Sequence, residues 1–342
     1  MIQQFVNDYM EGAAPEILEA LARTNMEKTV GYGLDPHCEG AREKIRAACG
    51  APDAEIHFLI GGTQANETVI SSMLAPYQGV VAVESAHIAV HEAGAIEHGG
   101  HKVLTVPGAD GKLTVEALRR LVETFRADAN HEHEVEPGLV YISQSTEYGT
   151  LYTLAELEAL RAACDELGLP LYIDGARLGY ALTARGNDVT LPDVARLADV
   201  FYIGGTKVGA LFGEAVVFPR PGTVPHFYTI TKIHGAMLAK GRILGIQFET
   251  LFTDGLFTRI ARNANECADR IRAALVERGY ELFMPSTTNQ VMVAVTHEQA
   301  EELAEKVAYG FMEALPDGRE VIRFCTSWAT RSEDVDELIE LL

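Results

Sequence analysis

Three short segments of this 342-residue chain combine residue types whose spacing suits chemistry. Gly61-Gly62-Thr63-Gln64-Ala65-Asn66 follows the apolar run Ile56–Ile60 and opens a helical stretch, Asn66–Leu74. Glycines admit close backbone approach and the free N–H groups of a helix start attract anions, so Gly62 and Thr63 are candidates for a phosphate cradle. An ordinary strand-to-helix turn would look the same. The spacing is that of neither G-x-G-x-x-G nor a P-loop, which disfavours NAD and ATP. Asp174-Gly175-Ala176-Arg177 closes a second run, Pro170–Ile173. A carboxylate near the centre of a sheet needs a cation. Arg177 supplies one if the two form a structural pair; otherwise Asp174 binds a protonated ring nitrogen and Arg177 forks a substrate carboxylate. Gly204-Gly205-Thr206-Lys207 closes a third run, Val200–Ile203. A lysine desolvated there becomes nucleophilic enough for Schiff-base chemistry, whereas one in an exposed Gly-rich turn is an ordinary surface residue.

Taken together, the three segments meet the needs of one cofactor, pyridoxal 5′-phosphate. The cradle anchors its phosphate, Asp174 keeps the pyridine nitrogen protonated, and Lys207 holds the aldehyde carbon as an imine. His87, in Glu84-Ser85-Ala86-His87-Ile88, follows the run Gly79–Val83 and is a candidate to lie flat on the ring.

The elements that must position these residues are legible as alternation. Strand-length apolar runs at Ile56–Ile60, Gly79–Val83, Lys102–Val106, Leu139–Ser143, Pro170–Ile173, Val200–Ile203 and Glu214–Phe218 are separated by helical patterns. Several runs are apolar at consecutive positions, as strands buried on both faces require. One helical pattern, Thr153–Leu167, carries its own start and stop signals in Thr153, Glu156 and Gly168. This predicts an α/β fold with a mostly parallel sheet whose ligand lies beyond the carboxyl ends of its strands. A large domain is expected over residues 1–250, including an N-terminal arm over about 1–20, and a small α+β domain over 251–342. In the small domain we expect a helix over Ile260–Arg278, a strand over Gln290–Val295, a helix over Glu298–Ala314, a strand over Val321–Cys325 and a final helix from Glu333.

Composition narrows the partners. With 28 Lys and Arg against 49 Asp and Glu, the net charge is -21, which disfavours nucleic acid and anionic membranes. Five scattered cysteines without a C-x-x-C pair, and an N-terminus unlike a signal peptide, suggest free thiols and a cytoplasmic location.

The chain resembles the threonine aldolase and β-eliminating lyase family of pyridoxal-phosphate enzymes, of the aspartate aminotransferase fold (fold type I). The resemblance rests on Asn7-Asp8-Tyr9, Gly31-Tyr32-Gly33-Leu34-Asp35, Gly62-Thr63-Gln64-Ala65-Asn66, Ala86-His87-Ile88, Asp174-Gly175-Ala176-Arg177-Leu178, Gly205-Thr206-Lys207 and Phe324-Cys325-Thr326-Ser327-Trp328. It implies a large domain with a seven-stranded sheet, Lys207 as the cofactor-bearing lysine, Asp174 on the pyridinium, His87 on the ring, and Gly62 and Thr63 on the phosphate. It also implies Arg177 and Arg323 as the carboxylate-binding pair. Members are homodimers or homotetramers with sites at subunit interfaces, so Tyr32, Lys240 and Arg242 are expected to reach a neighbour's site. Three positions depart from the pattern: Asn7 replaces a substrate-contacting serine, Glu147 stands where many members have a second histidine, and Leu34 replaces an acidic residue. The expected reaction is retro-aldol cleavage of a β-hydroxy-α-amino acid such as L-threonine or L-allo-threonine, with His87, Glu147 or a water held by either as base. Alternatives on the same scaffold are β-elimination, transamination and racemisation.

Overall fold

The computed structural model describes residues 2–342. Its twelve strands, in chain order, are β1 (Gln3–Phe5), β2 (Glu55–Leu59), β3 (Gln78–Val83), β4 (Val103–Val106), β5 (Glu136–Ser143), β6 (Leu171–Asp174), β7 (Val200–Gly204), β8 (Glu214–Phe218), β9 (Glu281–Leu282), β10 (Gln290–Val295), β11 (Val307–Ala314) and β12 (Glu320–Cys325). Strands β2 to β8 form a seven-stranded sheet in the order β2-β8-β7-β6-β5-β3-β4. Only β8 runs against its neighbours, pairing antiparallel with both β2 and β7. The carboxyl ends of the other six strands therefore share one edge with the amino end of β8.

The central strands explain why this sheet forms. In β6 and β7 every residue is buried, as expected for a parallel sheet covered by helices on both faces. One core includes Ile142, Ile173, Ile203 and Val217 with the helices that cover them; the other lies across the sheet around Val69, Val80, Tyr172 and Tyr202. The covering helices have well-defined ends. Leu154–Leu167 starts in a capping box between Thr153 and Glu156 and stops at Gly168, whose φ is 74°. All five cysteines of the chain are free and buried, Cys49 and Cys164 in the first of these cores.

A second sheet, ordered β1-β11-β12-β10-β9, covers the C-terminal part of the chain. It packs on the long helix Leu256–Glu277 and the final helix Ser332–Leu341 through Phe5, Ile271, Val293, Phe324 and Leu338. Two features differ from expectation. The stretch 298–314 is not one helix: the helix His297–Ala304 ends and β11 follows. Val307, Tyr309 and Phe311 favour a strand and Gly310 disfavours a helix, and pairing along β12 and β1 decides the outcome. Second, β1 in the N-terminal arm joins this sheet, pairing parallel with β11.

Close helix packing gives the fold a sensitive point. The helix Arg242–Leu251 lies so near the helix Pro36–Cys49 that a Cβ on Gly245 would sit 2.5 Å from Cys38 N. Gly245→Ala is expected to cost ~1–3 kcal/mol through overpacking, read as a lower urea midpoint.

Candidate active site

Of the predicted site residues, Gly62, Thr63, His87, Asp174, Arg177 and Lys207 lie just beyond the shared strand edge. Gly62 and Thr63 form the first turn of the helix Gly62–Met73, immediately after β2; the helix therefore starts four residues earlier than its apolar pattern suggests. Its N-cap, Gly61, offers no side-chain cap, and the first turn carries no acidic residue. The N–H groups of that turn are left for an anion.

Asp174 is the last residue of β6, the middle strand of the sheet, and is buried. Its Oδ2 accepts hydrogen bonds from Tyr141 Oη (2.5 Å) and Asn66 Nδ2 (3.1 Å), and its Oδ1 accepts one from Ala176 N (2.9 Å). Its partners are these neutral donors, so the Asp174–Arg177 pair considered from the sequence does not form. Asn66 is held in turn by Tyr172, whose hydroxyl donates to Asn66 Oδ1 at 2.8 Å, and its amide also donates to Glu92 Oε1 at 2.7 Å. Glu92 receives the Nδ1 proton of His87 at 2.7 Å. A connected polar network thus runs from His87 through Glu92 and Asn66 to Asp174. Burial pushes the His87 pKa down, but the hydrogen bond to Glu92 and the charges of Glu147, Asp174 and Glu92 outweigh it and hold it above the ordinary value.

Arg177 pairs instead with Asp8 of the arm. Its Nε donates to Asp8 Oδ2 (2.8 Å) and its Nη2 to Asp8 Oδ1 (2.9 Å), and Asn289 Nδ2 donates to Oδ2 as well (2.9 Å). Both charges are buried. Burial alone would raise Asp8, yet Arg177, Lys207 and the hydrogen bonds from Arg177 and Asn289 hold it below the usual carboxylate range. Arg323, on β12, donates from Nη1 to Gln290 Oε1 (2.9 Å) and from Nη2 to the carbonyl of Val6 (3.2 Å). Its Nε and the Nε2 of Gln290 are buried donors without partners. Two such orphans in one network are what an anionic group would satisfy.

Lys207 lies three residues beyond β7, half-buried. Its own carbonyl is fixed by the Tyr180 hydroxyl at 2.5 Å, while its Nζ has no hydrogen-bond partner among the described residues and lies 6.0 Å from the Tyr9 ring centroid. Asn7 accepts a hydrogen bond from Tyr9 N through Oδ1, leaving its amide N–H groups to donate. Glu147 lines a cleft of about 400 Å³ with Ser85, His91, Tyr148 and Glu313. A larger apolar cavity, about 700 Å³ between β4 and the helix Val115–Ala127, contains none of the candidate residues.

Tyr32, Lys240 and Arg242 form a separate region. Tyr32 adopts φ 61° and lies under Lys232, whose Nζ is 4.8 Å from its ring centroid. Arg242 donates to the carbonyls of Thr24 and Glu27. Lys240 is exposed beside it.

Sequence reasoning missed several residues that complete the site. Asp8, Asn66 and Tyr180 lie in or beside the quoted motifs, and the burial of Arg177 would have demanded Asp8. Glu92, Tyr141, Tyr172 and Gln290 carry no local signal, because each acts across strands or through a partner. Glu214 was hidden because it begins a strand rather than ending one.

The cofactor suggested by the sequence fits these residues. An uncapped helix start suits its phosphate, a buried carboxylate served by neutral donors suits its ring nitrogen, and an amine without a hydrogen-bond partner suits its aldehyde.

Two outcomes test the electrostatics. Glu92→Gln should lower the His87 pKa, as measured by imidazole NMR titration of the cofactor-free protein. Asp8→Asn should destabilise the fold by ~3–5 kcal/mol in urea titrations, because it leaves the buried Arg177 charge unpaired. The folded pKa of Asp8 is depressed, so the difference from wild type should be complete above the unfolded value near ~4. It should shrink as the pH falls through the lower folded value.

Comparison with known proteins gives the family and the fold. The family model described as β-eliminating lyase matches residues 4–298. A low specificity L-threonine aldolase from a Pseudomonas species is 34% identical over 339 residues, covering 98% of this chain and 96% of the relative. One from Pseudomonas aeruginosa is 33% identical with the same coverage. The solved structure of Leishmania major threonine aldolase superposes with a TM-score of 0.95 at 44% identity, over 99% of this chain and 98% of that one. Thermus thermophilus aspartate aminotransferase shares the fold, with a TM-score of 0.73 at 17% identity, over 99% of this chain and 90% of that one. The chain belongs to the β-eliminating lyase family, pyridoxal 5′-phosphate-dependent enzymes built on the aspartate aminotransferase fold.

Proposed function

We propose that this protein cleaves a β-hydroxy-α-amino acid, L-threonine or L-allo-threonine among them, to glycine and an aldehyde. The observation that carries the reading is the shared strand edge itself. There a buried carboxylate, a lysine whose amine has no hydrogen-bond partner, an uncapped helix start and buried guanidinium donors meet in a chain whose full-length relatives are L-threonine aldolases.

Bound here, the cofactor supplies an aldehyde for imine formation and a pyridinium ring that accepts the electron pair released at Cα. Gly62 and Thr63 would hold its phosphate through backbone N–H groups and the Thr63 hydroxyl. Asp174 would hold its ring nitrogen protonated, kept in place by Tyr141 and Asn66. His87 would lie against the ring, its tautomer fixed by Glu92. Lys207 supplies the amine.

The remaining residues orient the substrate. Arg323, through Nε, and Gln290, through Nε2, offer partnerless donors to the α-carboxylate. Arg177 already commits Nε and Nη2 to Asp8, so it contributes positive charge and its remaining N–H groups. Asn7 would add an amide donor. Fixing the carboxylate sets which bond at Cα stands perpendicular to the ring, and thereby which one breaks. Glu147, with His87 as the alternative, takes the β-hydroxyl proton as the Cα–Cβ bond opens. The cleft beside Glu147 receives the β-substituent and leaves room for groups larger than methyl.

The assembly we propose is a homodimer or homotetramer with interfacial sites. Supporting this, Val30, Tyr32, Leu34, Tyr228 and Ile233 are exposed apolar residues in the region of Lys240 and Arg242. A second copy covering them would bring Tyr32, Lys240 and Arg242 towards its own cofactor. No helix of the protein is long and apolar enough to cross a membrane. With five free, buried thiols, a cytoplasmic location is the consistent one.

The test is a product assay with added cofactor. Glycine and acetaldehyde from L-allo-threonine are expected, whereas ammonia and a keto acid would move the assignment to elimination. Lys207→Ala should lose the cofactor's visible band and activity. Arg323→Gln should raise KM at least ~10-fold, the effect of losing a charged hydrogen bond of ~1.5–3 kcal/mol.

A further inference from the structure

We propose that Glu214, a buried carboxyl at the amino end of β8, is a positioning residue for Lys207 that holds its loop and stabilises positive charge on its nitrogen. The proposal rests on the reading of Lys207 as the cofactor-bearing amine.

Because β8 is antiparallel to β7, its first residue lies opposite Gly204, the last residue of β7, and on its other side opposite Leu59, the last of β2. Glu214 is therefore at the edge where the strand ends meet, although no carboxyl-end rule points to it. It is 3% exposed, and a carboxyl is seldom buried without a reason.

Its hydrogen bonds go to the two residues that precede Lys207. Thr206 Oγ1 donates to Glu214 Oε1 at 2.7 Å and Gly205 N donates to Oε2 at 3.3 Å. Thr206 Oγ1 also accepts from Gly213 N at 3.0 Å, so the side chains of Thr206 and Glu214 close the loop 205–213 on itself. Further backbone bonds from Gly205 N and Thr206 N to the carbonyl of Gly213 complete the clasp. The lysine projects from this clasped segment, and the Tyr180 hydroxyl fixes its carbonyl.

The charges facing Glu214 define what else it does. They are Lys207, which favours its ionised form, and Asp174, which opposes it; the phenols of Tyr172 and Tyr202 face it as well. The helix Arg242–Leu251, packed on the same loop, presents Leu244 and Phe248. Lys207 is thus the one cation in this set. Burial raises the carboxyl to about 8, against the hydrogen bond from Thr206 and the charge of Lys207. The attraction is mutual, so an ionised Glu214 favours positive charge on the Lys207 nitrogen. Two carboxyl groups, on the strands either side of β7, would then serve one cofactor: Asp174 its ring nitrogen and Glu214 the nitrogen of the lysine.

The experiment is a pH titration of the visible absorbance of the holoenzyme, for wild type and Glu214→Gln. In parallel, the reactivity of Lys207 in the cofactor-free protein is followed against pH with trinitrobenzenesulfonate and located by peptide mapping. Glutamine keeps the acceptor for Thr206 and removes the charge. The expected result is a fall of about 1 pH unit or more in both midpoints, the size of shift an adjacent opposite charge produces. A glutamate with only a structural role would change thermal stability and leave both midpoints where they are, and that result overturns the proposal. If Glu214→Gln does not fold, Thr206→Val decides. It removes the donor that favours the ionised carboxyl, so a fall in both midpoints supports the proposal and unchanged midpoints overturn it. A wild-type protein that shows no cofactor band with added cofactor overturns the reading of Lys207 itself, which is a distinguishable failure.

Discussion

The buried pair between Asp8 and Arg177 is the contact on which the site's geometry depends. Removing two charges from water is costly, and the cost is offset only when geometry is good and every oxygen is served. Both conditions hold, with two guanidinium bonds and a third from Asn289. The pair joins three parts of the molecule: the arm, the segment after the middle strand of the large sheet, and the loop that leads into β10. A few residues earlier in the arm, the Val6 carbonyl holds Arg323 and β1 is a strand of the second sheet. The arm is therefore a strap across both sheets, and it holds both Arg177 and Arg323.

This arrangement reconciles the overall charge of the protein with an anion-binding site. A surface with net charge -21 repels anions in general. Around the strand edge, Arg177 and Lys207 lie among Asp8, Asp174, Glu147 and Glu214, most of them buried, and Arg323 adds a further cation from β12. An amino acid brings both signs, so a site that alternates them favours a zwitterion over a simple anion. The carboxylates are not interchangeable. Asp174 is served by neutral donors, Asp8 by a guanidinium, and Glu214 by a hydroxyl and a backbone N–H.

Much of this was legible in the sequence because parallel sheets write their ligand sites locally. Each strand end carries its own short motif, so Gly62, His87, Asp174 and Lys207 could be read one segment at a time. The seven strands of the large sheet all fall where apolar runs place them. Contacts between distant segments were not legible. Asp8 serves Arg177 across 169 residues, and the Glu92 partner of Asn66 is visible only once β2 and β3 are assembled. Local pattern also misread 307–314 as helix, because strand identity there comes from β1 and β12 on either side. Glu214 escaped for a topological reason: a rule about carboxyl ends ignores the one antiparallel strand.

The parallel pairing of β1 with β11 also constrains how the protein comes into being. Residues 3–5 find their strand partners only at 307–309, far downstream in the chain. Asp8 likewise waits for Asn289, 281 residues downstream. Until then the arm has a strand edge and a carboxylate without partners, while the large sheet between them is free to assemble domain-first. Closing so long a loop costs little more than closing one half its length, since the entropy grows only logarithmically. The delay is therefore one of synthesis rather than of stability. A nascent chain stopped short of residue 307 holds the whole seven-stranded sheet and lacks the strand on which the arm fastens.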